Sequence, residues 1–177
     1  MKPGYCFIFM LLSLPLRGFA DVTDLQSGGF TVSHAVAVSA TPQRSWDTMI
    51  GRIDQWWEPE HTWSADAANL YVQPGAGGCF CERLPGPAGE GVVVHLRIVY
   101  FQPNQEVRFE GALGPLQTMN VQGRMIWKVV ADDSGSLISF TYMVHGSLDS
   151  GFDAIAPAVD GVIRQQLERL ASLLNRS

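Results

Sequence analysis

From Phe30 to Val38 apolar and polar positions alternate, with Phe30, Val32, Val36 and Val38 on one face and Thr31, Ser33 and Ser39 on the other. A period of two over that length predicts a half-buried strand. Thr41-Pro42 follows as an N-cap residue and a helix-starting proline, and Trp46, Met49, Ile50 and Ile53 then recur at helical spacing. A second short helical turn is predicted over Asp54 to Trp57. Beyond it the chain reads as strand and turn. Leu70 to Gln73 runs into Pro74-Gly75-Ala76-Gly77-Gly78, a sequence that no helix accommodates. Cys79 to Leu84 and Val92 to Phe101 flank Pro85-Gly86-Pro87-Ala88-Gly89 and predict a hairpin with a long loop. Val107 and Phe109, then Val121, Met125, Trp127 and Val129, then Ile138, Phe140, Tyr142 and Val144 alternate with polar residues. Successive one-sided strands predict an antiparallel meander with one wet face and one buried face.

The last segment supplies the cover for that buried face. Phe152, Ile155, Val159, Ile163, Leu167, Leu170 and Leu174 recur at steps of three and four, while Asp160, Arg164, Glu168 and Arg169 mostly take the other side. Pro157 lacks an amide proton and is expected in the first turn. The predicted order is strand, two short helices, six strands and a long helix.

The start of the chain is of another kind. Lys2 precedes an apolar run from Tyr5 to Leu16, and Gly18 and Ala20 stand at small-x-small positions before Asp21. These are the parts of a secretory signal peptide, expected to be cut near Ala20 and to leave the protein periplasmic or extracellular. The run is too short to span a bilayer, so no stable membrane anchor is expected after cleavage. Removing 20 of 177 residues leaves 157, one domain over 29–176 behind a short lead at 21–28. Without Lys2 and Arg17, 10 basic residues face 17 acidic ones, a charge of −7. That balance argues against nucleic acid, which is held by clustered Lys and Arg, and against an anionic membrane surface. The expected partner is a small apolar molecule or lipid. Nothing in the sequence calls for a cofactor.

The order of elements resembles the START-like, or SRPBCC, superfamily, which includes polyketide cyclase/dehydrase-like and heat-shock-protein ATPase-activator-like groups. The likeness spans roughly residues 29–175. It is carried by Thr41-Pro42-x-x-x-Trp46, Trp56-Trp57, Gly77-Gly78-Cys79-Phe80-Cys81-Glu82, Gly111-Ala112-Leu113-Gly114-Pro115-Leu116 and the terminal helix. In particular, the sequence looks like exported bacterial members of that superfamily. The resemblance implies an α+β helix-grip fold, a curved seven-stranded antiparallel sheet wrapped around a long C-terminal helix, with a cavity between them. It implies little chemistry, because one fold hosts many functions.

Candidate residues follow from these placements. Trp57 and Trp63 are expected at a rim, and Phe80, Leu96, Phe109, Trp127, Phe140, Tyr142, Val159 and Ile163 are expected to line an apolar cavity. Packing within the core is the competing role for the large rings. Cys79 and Cys81 share a face of a strand. Packing as thiols is the expectation there, because a bridge across one residue is poor geometry. A local disulfide, or a metal held with His95, are the alternatives.

No Ser-His-Asp or Cys-His pattern is visible, so no catalytic residue is assigned, and Glu82, His34 and His95 are the alternative acid–base candidates. His34 is expected to be a hydrogen-bonded core residue and His145 a surface one. Simple alternation puts His95 with Arg97 on the polar face. Glu82 is expected either in the cavity beside Phe80 or exposed with a partner such as Arg97. The loop Gly111 to Leu116 is read as a turn, a cavity lip or a contact surface with exposed leucines. Three function classes remain: a carrier of a small hydrophobic molecule, a cyclase-, dehydrase- or hydrolase-type enzyme, and a co-chaperone-like interaction module.

Overall fold

The computed structural model describes residues 21–87 and 89–176, so the export segment expected over 1–20 lies outside the described residues. Strand β1 (Asp21–Gln26) turns at Ser27-Gly28 into β2 (Gly29–Val38). Helix α1 (Pro42–Gly51) starts where Thr41 and Pro42 predict it, with the Thr41 hydroxyl accepting the Arg44 amide. Its inner face buries Trp46, Met49 and Ile50, and the Ser45 hydroxyl meets that of Ser136 at 2.8 Å. Helix α2 (Ile53–Trp56) and a short 3-10 turn at Pro59–His61 lead to β3 (Leu70–Gln73).

Strands β4 (Cys79–Leu84), β5 (Gly91–Gln102), β6 (Glu106–Glu110), β7 (Val121–Asp132) and β8 (Gly135–Gly146) follow, and α3 (Ile155–Asn175) ends the chain. All neighbouring strands are antiparallel, in the order β1-β2-β8-β7-β6-β5-β4-β3. Among the described residues the sheet therefore has eight strands, one more than expected. The extra one is β1, formed by the segment read as a lead. Its only apolar residues, Val22 and Leu25, are three apart, because the pairing with β2 shifts between Val22 and Asp24. A bulge of this kind breaks the alternation by which a strand is recognised.

Two further bulges lie in β5, opposite Phe80/Cys81 and between Ile98 and Tyr100. Bulges bend and twist a strand, and the sheet curves around α3, which packs chiefly across β2. Pro157 falls in the first turn of α3, where its missing amide proton costs nothing. His34 on β2 is buried and bonds Asp160 of α3 at 2.7 Å, so it is the hydrogen-bonded core histidine expected. Asp160 accordingly faces the sheet and not the outer side of the helix.

The interior is dense where the sequence places a cavity. The Trp127 ring lies 4.8 Å from Phe109, 5.0 Å from Phe140, 5.7 Å from Trp56 and 6.0 Å from Phe80, and all five are buried. The Trp127 indole N–H points to Met125 Sδ at 2.9 Å.

Candidate functional site

The open space lies at one end of this aromatic core. A pocket of about 430 Å³ is bounded by the first half of α3, the Trp57–Trp63 segment and the loop from Leu113 to Leu116. Helix α3 contributes Ile155, Val159, Val162 and Ile163, four residues on one face at steps of three and four. Trp57 forms buried wall, and Trp63, half exposed at 51 %, stands at the mouth. Of the ten residues expected to line a cavity, Trp57, Trp63, Val159 and Ile163 do so. Phe80, Leu96, Phe109, Trp127, Phe140 and Tyr142 do not line this pocket. The Phe80, Phe109, Trp127 and Phe140 rings pack against one another, and Leu96 borders a separate polar concavity.

The mouth is tied to the helix by polar contacts. The Glu58 amide donates to Gln166 Oε1 at 2.8 Å, and the Glu58 carboxylate pairs with Arg169 Nη1 at 2.7 Å. Arg169 Nε also donates to the Trp56 carbonyl, and the Trp57 indole N–H closes its own turn onto the His61 carbonyl at 3.0 Å.

On the far wall the loop is latched by Tyr142, whose hydroxyl accepts the Leu113 amide at 3.0 Å and points to the Gly111 carbonyl. Burial pushes the Tyr142 phenol up to about 12, so it stays protonated at neutral pH. Gly123 makes room for that hydroxyl. A β-carbon there would overlap the Tyr142 hydroxyl and the Gly111 carbonyl oxygen. Gly123→Ala is therefore expected to cost about 1–3 kcal/mol in a thermal melt and to release the loop. Leu116 is buried, against the expectation of exposed leucines, because the loop folds inward over the pocket.

The pocket borders a polar pair. Between β4 and β5, Cys81 pairs with Val94 and Phe80 with Leu96, so His95 is the extra residue of a bulge. The bulge turns both His95 and Leu96 inward, and both are buried. This overturns the placement of His95 on the polar face, since a one-residue slip reverses the side a strand residue takes. His95 Nε2 lies 2.9 Å from Glu82 Oε2, and its ring centroid lies 4.8 Å from that of Phe80.

Glu82 is fully buried beside Phe80, and its partner is His95 and not Arg97. Its carboxylate also accepts the Ser64 amide at 2.5 Å and the Trp63 amide at 3.0 Å. Burial pushes the Glu82 carboxyl up, but hydrogen bonds from Ser64, Trp63 and His95 together outweigh it and hold the group below its usual range. Burial pushes the His95 imidazole down, further than the Glu82 carboxylate raises it. At neutral pH an ionised Glu82 faces a neutral His95. A carboxylate only accepts, so the hydrogen-bond network assigns the proton to Nε2 and the lone pair to Nδ1.

His34, the third acid–base candidate, is on β2 and bonds Asp160, apart from this pair. His145 is exposed. Beyond the Gly111–Leu116 loop is a second, polar concavity of about 540 Å³, bordered by His95, Arg97, Glu110, Arg124 and His145.

Cys79 and Cys81 are joined in a disulfide, which overturns the expectation of packed thiols. Their Cα atoms are 5.5 Å apart, within the usual span of a bridge. The bond occupies both sulfurs, while His95 is directed to Glu82, so these three residues do not gather as a metal site. Among the described residues no group of three His, Cys, Asp or Glu side chains is placed to hold a metal ion.

No family model matches the sequence, and no curated protein does. Solved structures do match in fold. An uncharacterised protein from Rhizobium leguminosarum aligns with a TM-score of 0.62 at 16 % identity, covering 88 % of this chain and 100 % of that one. Protein MLL2253 from Mesorhizobium loti aligns with a TM-score of 0.59 at 16 % identity, covering 83 % and 98 %. Ara h 8.0201 aligns with a TM-score of 0.57 at 12 % identity, covering 85 % and 100 %. The chain has the helix-grip fold. Within that helix grip the Trp127 ring cluster packs at the sheet's centre, and the apolar pocket lies against the N-terminal half of the gripped helix.

Proposed function

We propose that the protein is an exported carrier of a small apolar molecule, held in the pocket between α3, the Trp57–Trp63 segment and the Leu113–Leu116 loop. One observation carries this reading: a concave site of about 430 Å³ whose walls come mainly from apolar side chains of three separate elements. Sites for small hydrophobic ligands have this size and make-up. The small-residue exit after an apolar run at the N-terminus supports export.

The test is a titration with N-phenyl-1-naphthylamine, a neutral probe that fluoresces in apolar surroundings. Val159 lines the pocket and is only partly buried, so Val159→Glu leaves the core intact while placing a charge in the site. The wild type is expected to bind the probe and Val159→Glu to bind at least tenfold more weakly, since an unpaired charge in an apolar site is costly. Equal binding by both proteins contradicts the assignment.

The Glu82–His95 pair favours a second reading, an acid–base enzyme of the cyclase, dehydrase or hydrolase type. It predicts a reaction that His95→Phe abolishes while probe binding persists. For the interaction-module reading the loop offers a half-buried Leu113 and an exposed Pro115, while Leu116 is buried.

A further inference from the structure

The apolar pocket contains one chemical feature that its size does not explain. Among its described lining residues, His95 is the one that is both polar and buried, whereas Glu60 and His61 are exposed at the mouth and Thr62 is half-buried there. The ring is held from behind. Glu82 takes its Nε2–H, and Glu82 is itself fixed by the backbone amides of Trp63 and Ser64. No other protein group bonds to the imidazole among the described residues, so Nδ1 keeps its lone pair. The ring borders both this pocket and the polar concavity beyond the Gly111–Leu116 loop.

We propose that this pocket selects apolar molecules carrying a hydroxyl donor, a phenol or an alcohol, and that His95 Nδ1 accepts the hydroxyl hydrogen. The inference rests on the reading of the pocket as an apolar ligand site and names the ligand class. The alternatives fit the site less well. A hydrocarbon or ether leaves the buried lone pair unpaired, which carries a cost. A carboxylate meets that lone pair with one of its own and adds a second negative charge near Glu82. An ammonium loses its hydration in an apolar enclosure. A hydroxyl satisfies the nitrogen without bringing a charge, and because the acceptor is already oriented, little ordering is needed on binding.

The experiment compares 2-naphthol, 2-methoxynaphthalene and naphthalene by calorimetry on the full mature chain. The naphthol-to-ether affinity ratio is expected to be about tenfold higher in the wild type than in His95→Phe, the contribution of one hydrogen bond. Naphthalene and 2-methoxynaphthalene are expected to bind His95→Phe at least as tightly as the wild type, since neither can satisfy the lone pair that the variant removes. In case the variant does not fold, nitrogen-15 spectra of the histidine-labelled wild type give a second readout. The His95 Nδ1 resonance should move on adding 2-naphthol and stay put with 2-methoxynaphthalene. An unchanged ratio in the folded variant, or an Nδ1 resonance indifferent to 2-naphthol while the compound binds, overturns the inference and leaves the pocket reading standing. Failure of all three compounds to bind overturns both.

Discussion

Alanine in place of Glu82 is expected to lower folding stability by about 3–5 kcal/mol, read as a large fall in the urea midpoint. The carboxylate is fully buried and accepts three donors, from Trp63, Ser64 and His95. Removing it leaves those donors without an acceptor, at about 1–3 kcal/mol each before rehydration, and adds a void beside Phe80. Glu82→Gln keeps the shape and one oxygen, so a smaller loss is expected, nearer that of one unsatisfied amide. An unchanged midpoint for the alanine variant would contradict the buried, triply bonded carboxylate.

The same pair predicts how stability depends on pH. His95 titrates lower in the folded protein than its unfolded value of 6.5. As pH falls below about 6.5 the unfolded chain takes up the proton first, and stability declines. Glu82 also titrates lower than its unfolded value of 4.5, so its contribution is present above that value and is lost as pH falls through the depressed folded one. Acid should therefore destabilise in two limbs. Urea midpoints from pH 8 to pH 2 in wild type and Glu82→Ala check this, and the lower limb should shrink in the variant.

The second large effect separates core from site. Trp127→Ala is expected to lose about 3–5 kcal/mol in the same urea assay, because the ring touches Trp56, Phe80, Phe109 and Phe140 and is fully buried. Trp63→Ala should change stability by only about 0.5 kcal/mol, since its side chain is half exposed and only its backbone amide bonds Glu82. Binding should show the reverse order. Trp63→Ala should weaken N-phenyl-1-naphthylamine severalfold, whereas folded Trp127→Ala should retain the mouth pocket and bind as the wild type does. Loss of binding on Trp127→Ala with none on Trp63→Ala would put the ligand in the centre of the grip.

These contrasts trace what was legible in the sequence. Period-two runs such as Ile138 to Val144, the Thr41-Pro42 helix start and the apolar face of α3 report directly on local geometry, so the fold and the order of six strands between the helices could be read. Bulges could not. The irregularity at Val22/Asp24 hid β1, and the extra residue His95 reversed its own face, which concealed the pairing with Glu82. A register shift depends on both partner strands, so the pattern of one strand alone does not locate it.

The Cys79–Cys81 bridge went the same way. The cysteine spacing stated the possibility, but only the placement of the two sulfurs side by side decided it. The extent of the cavity was not legible for a different reason. Inward-facing aromatics say that a space is enclosed, not whether their own volume fills it.

The most direct test of the central claim is to locate a bound apolar molecule by NMR, following assigned side-chain and backbone resonances as 2-naphthol is added. Saturable shifts are expected at Trp57, Trp63, Leu116, Val159 and Ile163, with Trp127 and Phe140 nearly still. Shifts centred on Trp127 and Phe140, or no saturable shifts, would contradict that claim.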